Sequence, residues 1–264
     1  MKVLLTGGTG YIGTSVLRAL VQAGHDVTAV VRSQSSAVAV SEAGATAEMG
    51  DLFDVDWLTS QLNSHDSAIH TAAGSDDNDP AMNDAVLSAV IDSFSGTDKP
   101  FVHTGGIWTY GNNSNIDETD APAPPALTAW RPAGEARILN SGVRASVIQP
   151  AIVYGRGGGI PAMLQGQVAA DGEFTLIGSG NQHWTTVHVD DLADLYLLAL
   201  AQAPGGQAYV AASGHNPTVR EIAETFASAL RPESDDATLA RLGAFGEALL
   251  LDQQASGHRA RTEL

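Results

Sequence analysis

The chain opens with a short apolar run over residues 2–6 that feeds a glycine-rich turn, and the next segment, 14–23, carries Val16, Leu17, Leu20 and Val21 at helical spacing. Gly24 stops that helix. A valine-rich run over 26–32 then predicts a second buried strand, so residues 2–32 form one strand–helix–strand unit of the usual length of about 30 residues. A crossover connection of this kind joins parallel strands. The alternation continues with predicted strands at 45–49, 67–71, 100–104 and 145–149, separated by helical stretches. Strand alternating with helix specifies an α/β protein with a Rossmann-type, doubly wound parallel sheet.

Two stretches interrupt the pattern. Residues 111–125, rich in asparagine, acids and proline, are expected to be irregular and to lie over the carboxyl edge of the sheet. Gly155-Arg156-Gly157-Gly158-Gly159 leaves the sixth strand and leads into a less regular region. Further on, Asp190 is the expected N-cap of an apolar helix over 192–201. The domain reading is a dinucleotide-binding core over 1–155 and a small C-terminal substrate lobe over most of 156–264, with 186–203 returning to the core.

Composition narrows the function. With 44% hydrophobic and 16% charged residues, the 264-residue chain is globular and large enough for a substantial core. Its formal charge of −17 opposes nucleic acid and anionic lipid, which leaves a small-molecule substrate as the expected partner and a homodimer as an open option. Lysine occurs only at positions 2 and 99, so positive charge at a site falls mainly to arginine or histidine. Without cysteine there are no disulfides or thiolate chemistry, and the histidines and carboxylates show no metal-ligand spacing. A first strand starting at residue 2, with no leader pattern before it and no membrane-length apolar run after it, reads as a soluble cytoplasmic protein.

Candidate chemistry begins at Gly7-Gly8-Thr9-Gly10-Tyr11-Ile12-Gly13. Gly7 permits the tight turn after the strand, Gly10 lets backbone approach a diphosphate, and Gly13 lets the helix pack close to the sheet. With Thr6 in front, this stretch resembles the N-terminal motif of extended and atypical short-chain dehydrogenases/reductases, the epimerase/dehydratase branch. Gly50-Asp51-Leu52, the strand ending in Thr71-Ala72-Ala73, Tyr110-Gly111, the stretch 150–155 and Val187-His188-Val189-Asp190-Asp191 continue the likeness in the same order.

The resemblance implies a dinucleotide held by Gly7, Thr9, Gly10, Tyr11, Ile12, Gly13, Asp51, Leu52, Ala72, Ala73, Thr104, Pro150, Ile152 and Val153. Members that use NAD usually carry an acid at the end of the second strand, where this chain has Arg32 and Ser33. A carboxylate there would repel a 2′-phosphate, whereas an arginine pairs with it, so the expected cofactor is NADP(H) rather than NAD(H).

The family's proton-handling residues are a tyrosine, a lysine four positions later, and a serine or threonine after the fifth strand. The matching positions here hold Leu127, Arg131 and Gly106. Hydride arriving at a carbonyl carbon leaves an alkoxide that must be protonated or held by donors, so substitutes are needed. Thr104 and Tyr110 are the nearest hydroxyls, Arg131 suits positioning, and His183 is a candidate proton donor; Trp108 and Trp130 are candidate pocket walls, and Arg156 a candidate carboxylate contact. The expected function is an NADP(H)-dependent oxidoreductase acting on a small to medium apolar carbonyl compound. Alternatives are an NADP(H)-binding sensor without turnover and an epimerase or dehydratase.

Overall fold

The computed structural model describes residues 1–74 and 77–264. Its centre is a seven-stranded, wholly parallel sheet. The first strands and helices follow the expected alternation: β1 (Lys2–Thr6), α1 (Tyr11–Gln22), β2 (Asp26–Val31), α2 (Gln34–Glu42), β3 (Thr46–Met49), α3 (Val55–Asn63), β4 (Ser67–His70), α4 (Asp79–Phe94) and β5 (Pro100–Thr104). After β6 (Asn113–Ile116) come α5 (Arg131–Leu139), β7 (Arg144–Pro150), β8 (Ile152–Gly155), α6 (Gly159–Gln165), β9 (Glu173–Thr175), β10 (Thr186–His188), α7 (Val189–Gln202) and β11 (Gln207–Ala211). The chain ends with α8 (Val219–Glu224), β12 (Ala229–Arg231), α9 (Asp235–Leu249), β13 (Gln253–Ala255) and α10 (His258–Glu263).

Strand order in the main sheet is β11-β7-β5-β4-β1-β2-β3, so the direction of winding reverses between β1 and β4. Ligands of open α/β sheets bind outside the carboxyl ends of the strands at such a reversal. Alternate residues of each strand face opposite layers. Val3, Leu5, Ile69 and Val102 meet α1 and α7 through Leu17, Leu20, Leu192 and Tyr196, while Leu4, Ala68, Phe101 and Val147 meet α3, α4 and α5 through Leu58, Val86, Phe94 and Ile138. A third cluster, with Phe174, Leu176, Trp184 and Leu249 at its centre, forms the core of the C-terminal elements. Each fully buried aliphatic side chain in these layers contributes about 1.5–3 kcal/mol of transfer free energy. Among the described residues, no helix is long and apolar enough to cross a membrane.

The structure differs from the sequence reading in four local respects. Helix α1 begins at Tyr11, inside the glycine turn, and not at Thr14. The stretch 111–125 contains β6, which pairs in parallel with β13; its partner lies far along the chain, so no local periodicity announces it. A seventh strand, β11, extends the main sheet beside β7 after two glycines, and its five residues are too short to signal themselves. The cap of α7 is His188, whose Nδ1 accepts the backbone N–H of Asp190 at 3.2 Å, while Asp190 sits in the first turn.

Candidate active site at the carboxyl edge of the sheet

The turn after β1 lies directly against the segment after β4. Gly7 has φ +75°, and a Cβ on it would fall 2.5 Å from the backbone N of Ala72. A Cβ on Gly13 would fall 2.0 Å from Gly7 O, so the first turn of α1 reaches this close only with glycine there. Thr71 ties the two segments through its backbone N–H and its hydroxyl, both donating to Thr6 O, at 3.0 and 2.8 Å. Gly10 is the N-cap of α1; no side chain caps the helix and no acid stands in its first turn. The first-turn amides, with the positive end of the helix dipole behind them, fit a diphosphate.

The other proposed cofactor contacts emerge from neighbouring strand ends. Thr9 is exposed beside the turn, and Ile12 is half-buried against the core. Arg32 follows β2, exposed, with no hydrogen bond or ion pair among the described residues. Ser33 is the N-cap of α2, its Oγ accepting from the Ser36 N–H at 3.1 Å, so its hydroxyl already has a structural duty. After β3, Asp51 accepts the Phe53 N–H at 3.0 Å and Leu52 is buried. Ala72 and Ala73 follow β4, Pro150 ends β7, and Ile152 and Val153 lie in β8, paired with β10.

Of the catalytic candidates, Thr104 and Arg131 are in direct contact, while Tyr110 and His183 are each held by other partners. Thr104 Oγ1 donates to His70 O at 2.7 Å and lies 2.6 Å from the buried Tyr196 hydroxyl, which leaves Tyr196 as the donor in that pair. Tyr110 is buried, and its hydroxyl donates to Gln149 Oε1 at 2.8 Å; burial pushes its pKa above the usual phenol value. Arg131 opens α5, stacks on Trp130 at 4.6 Å, and directs Nη1 toward the carbonyls of Thr104 and Gly105 at 3.3 and 3.5 Å. His183 is instead held in the C-terminal elements, its Nδ1 3.0 Å from Asp252 Oδ1, with no bond to the other three.

Sequence reasoning missed the polar groups behind these residues. Gln149 Nε2 donates to Glu135 Oε2 at 2.7 Å, one helical turn after Arg131. The other carboxylate oxygen of Glu135 is buried and has no partner among the described residues; it lies over Gly105, where a Cβ would fall 2.5 Å from it. Burial raises the Glu135 pKa to about 7, against the smaller opposing effects of Gln149 and Arg131. On the same face of the sheet, Thr6, His70 and His103 occupy registered positions of β1, β4 and β5. His70 bridges Thr6 Oγ1 at 2.6 Å and Asn83 Oδ1 at 3.1 Å, and its ring stacks on that of His103 with centroids 5.5 Å apart. Burial lowers the His70 pKa to about 4, so this belt is neutral. Polar residues within otherwise apolar strands were the available signal: His70, His103 and Gln149 each break such a run.

This geometry has counterparts. A family model described as the NAD dependent epimerase/dehydratase family matches residues 3–212. An uncharacterized protein of Schizosaccharomyces pombe is 31% identical over 231 residues, covering 84% of this chain and 78% of that protein. The 2-alkyl-3-oxoalkanoate reductase of Stenotrophomonas maltophilia is 30% identical over 278 residues, covering 94% of this chain and 83% of the reductase. Among solved structures, dTDP-glucose 4,6-dehydratase from Streptomyces venezuelae, with NAD bound, has a TM-score of 0.79 at 20% identity and covers 100% of this chain and 91% of its own, a likeness of fold. Since the matched segment runs from the first strand of the sheet to the last strand added to it, the chain belongs to the NAD dependent epimerase/dehydratase family.

Proposed function

We propose that this protein is an NADP(H)-dependent oxidoreductase that reduces a small to medium, largely apolar carbonyl compound. The observation that carries the reading is the combination of an uncapped α1 with an exposed, unpaired Arg32 at the end of the neighbouring strand. First-turn amides hold a diphosphate, and a free guanidinium at the ribose end favours the phosphorylated dinucleotide. When bound, the cofactor supplies hydride. The similarity to a protein named as a 2-alkyl-3-oxoalkanoate reductase supports a carbonyl substrate.

Within this reading Arg131 is the group that meets the substrate oxygen. The hydroxyls of Thr104 and Tyr110 are committed to His70 O and Gln149, so these two residues shape the site. Arg131 stays protonated at any working pH and has donors beyond the Nη1 that reaches the Thr104 and Gly105 carbonyls. It serves as an electrostatic holder for the developing alkoxide, with water completing protonation. The reading is tested by calorimetric titration with NADPH and NADH, followed by loss of nicotinamide absorbance against a panel of ketones and 3-oxo acids. Preferential NADPH binding and turnover of at least one carbonyl are expected.

The internal commitment of those hydroxyls also favours a second reading, an NADP(H) sensor that binds without turnover. Tight NADPH binding with no oxidation by any carbonyl compound would select it. The fold shared with a sugar-nucleotide dehydratase keeps epimerase or dehydratase chemistry as a third, tested by binding of a nucleoside diphosphate sugar.

A further inference from the structure

Arg131 and Glu135 stand one turn apart on α5, the spacing at which two side chains of a helix are neighbours. Both reach the same piece of backbone, the residue that follows β5. Arg131 Nη1 lies 3.5 Å from Gly105 O, and Glu135 Oε1 sits over Gly105, where an added Cβ would fall 2.5 Å from it. Glycine at 105 is therefore what admits the carboxyl group to this place.

The two opposite charges nevertheless do not pair. The guanidinium turns to the carbonyls of Thr104 and Gly105 at 3.3 and 3.5 Å, longer than the usual N–H···O distance of about 2.9–3.0 Å. Glu135 is only 5% accessible, and its Oε1 has no partner among the described residues, while Gln149 Nε2 serves Oε2 at 2.7 Å. A carboxyl group held in this way is poorly supported as an anion. Once ionised, the orphaned oxygen is a stronger acceptor for Arg131 than either carbonyl, since bonds between charged groups are about twice as strong as neutral ones.

We propose that Glu135 is a positioning residue for Arg131: as the neutral acid it leaves the guanidinium on the Thr104 and Gly105 carbonyls, open to a substrate oxygen, and as the carboxylate it draws the guanidinium onto Oε1. The inference rests on the reading of Arg131 as the holder of the substrate oxygen. Burial places the exchange near neutrality, with the Glu135 pKa raised to about 7 against the effects of Gln149 and Arg131. Asp79 and Tyr196 face Arg131 from α4 and α7, His70 and His103 face it from β4 and β5, and Tyr110 faces Glu135 from behind Gln149. Burial pushes both phenols up and both imidazoles down, so these four stay neutral while Glu135 changes charge.

Two measurements test the proposal. Crystal structures of the native protein in acid and in alkaline buffer should show the guanidinium on the two carbonyls in the first and on Glu135 Oε1 in the second. With a carbonyl compound that the protein reduces, native kcat should fall about 10-fold over about one pH unit above the Glu135 midpoint, as a single titrating group dictates. Glu135→Gln, whose amide takes no charge, should lose that alkaline limb, while NADPH affinity follows the same course with pH in both proteins. A guanidinium that stays on the carbonyls in alkaline crystals overturns the positioning role, and so do parallel kcat profiles. If no carbonyl compound is turned over, the oxidoreductase reading fails instead, and the two crystal structures still decide whether Glu135 captures Arg131.

Discussion

Tyr110 donates its hydroxyl to Gln149 Oε1 at 2.8 Å inside the protein, and Gln149 passes the contact on to Glu135 at 2.7 Å. The phenol is thereby an anchor for the segment that follows β5. Replacement by phenylalanine leaves the Gln149 oxygen buried without its donor, at a cost of about 1–3 kcal/mol. Chemical denaturation of Tyr110→Phe should show this loss, with NADPH affinity unchanged.

Glu135 gives stability a pH dependence of known sign. Burial raises its pKa from 4.5 to about 7, so the folded protein binds this proton more tightly than the unfolded chain. The stabilisation is fully present below 4.5 and is lost as pH rises through about 7. Glu135→Gln keeps an acceptor for Gln149 and removes the buried charge, so it should match the native protein near the acid end and exceed it in alkaline buffer, by up to about 3 kcal/mol. Urea unfolding across that range measures the difference, and parallel curves for the two proteins would refute it.

Arg32 is exposed at the end of β2 and has no partner among the described residues. Arg32→Ala should weaken NADPH binding by about 10-fold or more, the scale of a lost charge-assisted pair, and leave NADH binding nearly unchanged. Calorimetry with the two nucleotides decides it; equal losses would remove the 2′-phosphate role.

Arg131→Ala should lower kcat by about 100-fold while NADPH affinity moves little, because a holder of developing charge acts mainly on the transition state. Arg131→Lys should restore part of the rate, since charge returns without the planar fork. A fall in NADPH affinity that matched the fall in rate would assign the residue to cofactor binding instead.

Gly13 has the least room in the turn. Its added Cβ would meet the backbone carbonyl of Gly7 at 2.0 Å, and backbone cannot rotate aside as a side chain does. Gly13→Ala should cost about 1–3 kcal/mol of stability and abolish dinucleotide binding, read by thermal unfolding and by titration of the folded variant.

The alternation of the first strands and helices, and the glycine turn between β1 and α1, could be read from the chain directly. Both are local: apolar runs of period two or near 3.6 declare strands and helices, and a glycine turn between a strand and a helix fits a diphosphate wherever the rest of the chain goes. The position of Arg32, directly after β2, was legible for the same reason. Tertiary structure alone decided which side chains share the carboxyl edge and which way their polar atoms point. The pairing of β6 with β13, the edge strand β11 and the chain Tyr110–Gln149–Glu135 each join residues distant in sequence, and no periodicity encodes such partners. Tyr196, sent from α7 to Thr104 at 2.6 Å, shows the same limit. Hydroxyls that look available in the sequence, those of Thr104 and Tyr110, are claimed by His70 O and Gln149 once the fold brings these within reach, because a satisfied buried hydroxyl is more stable than an orphaned one.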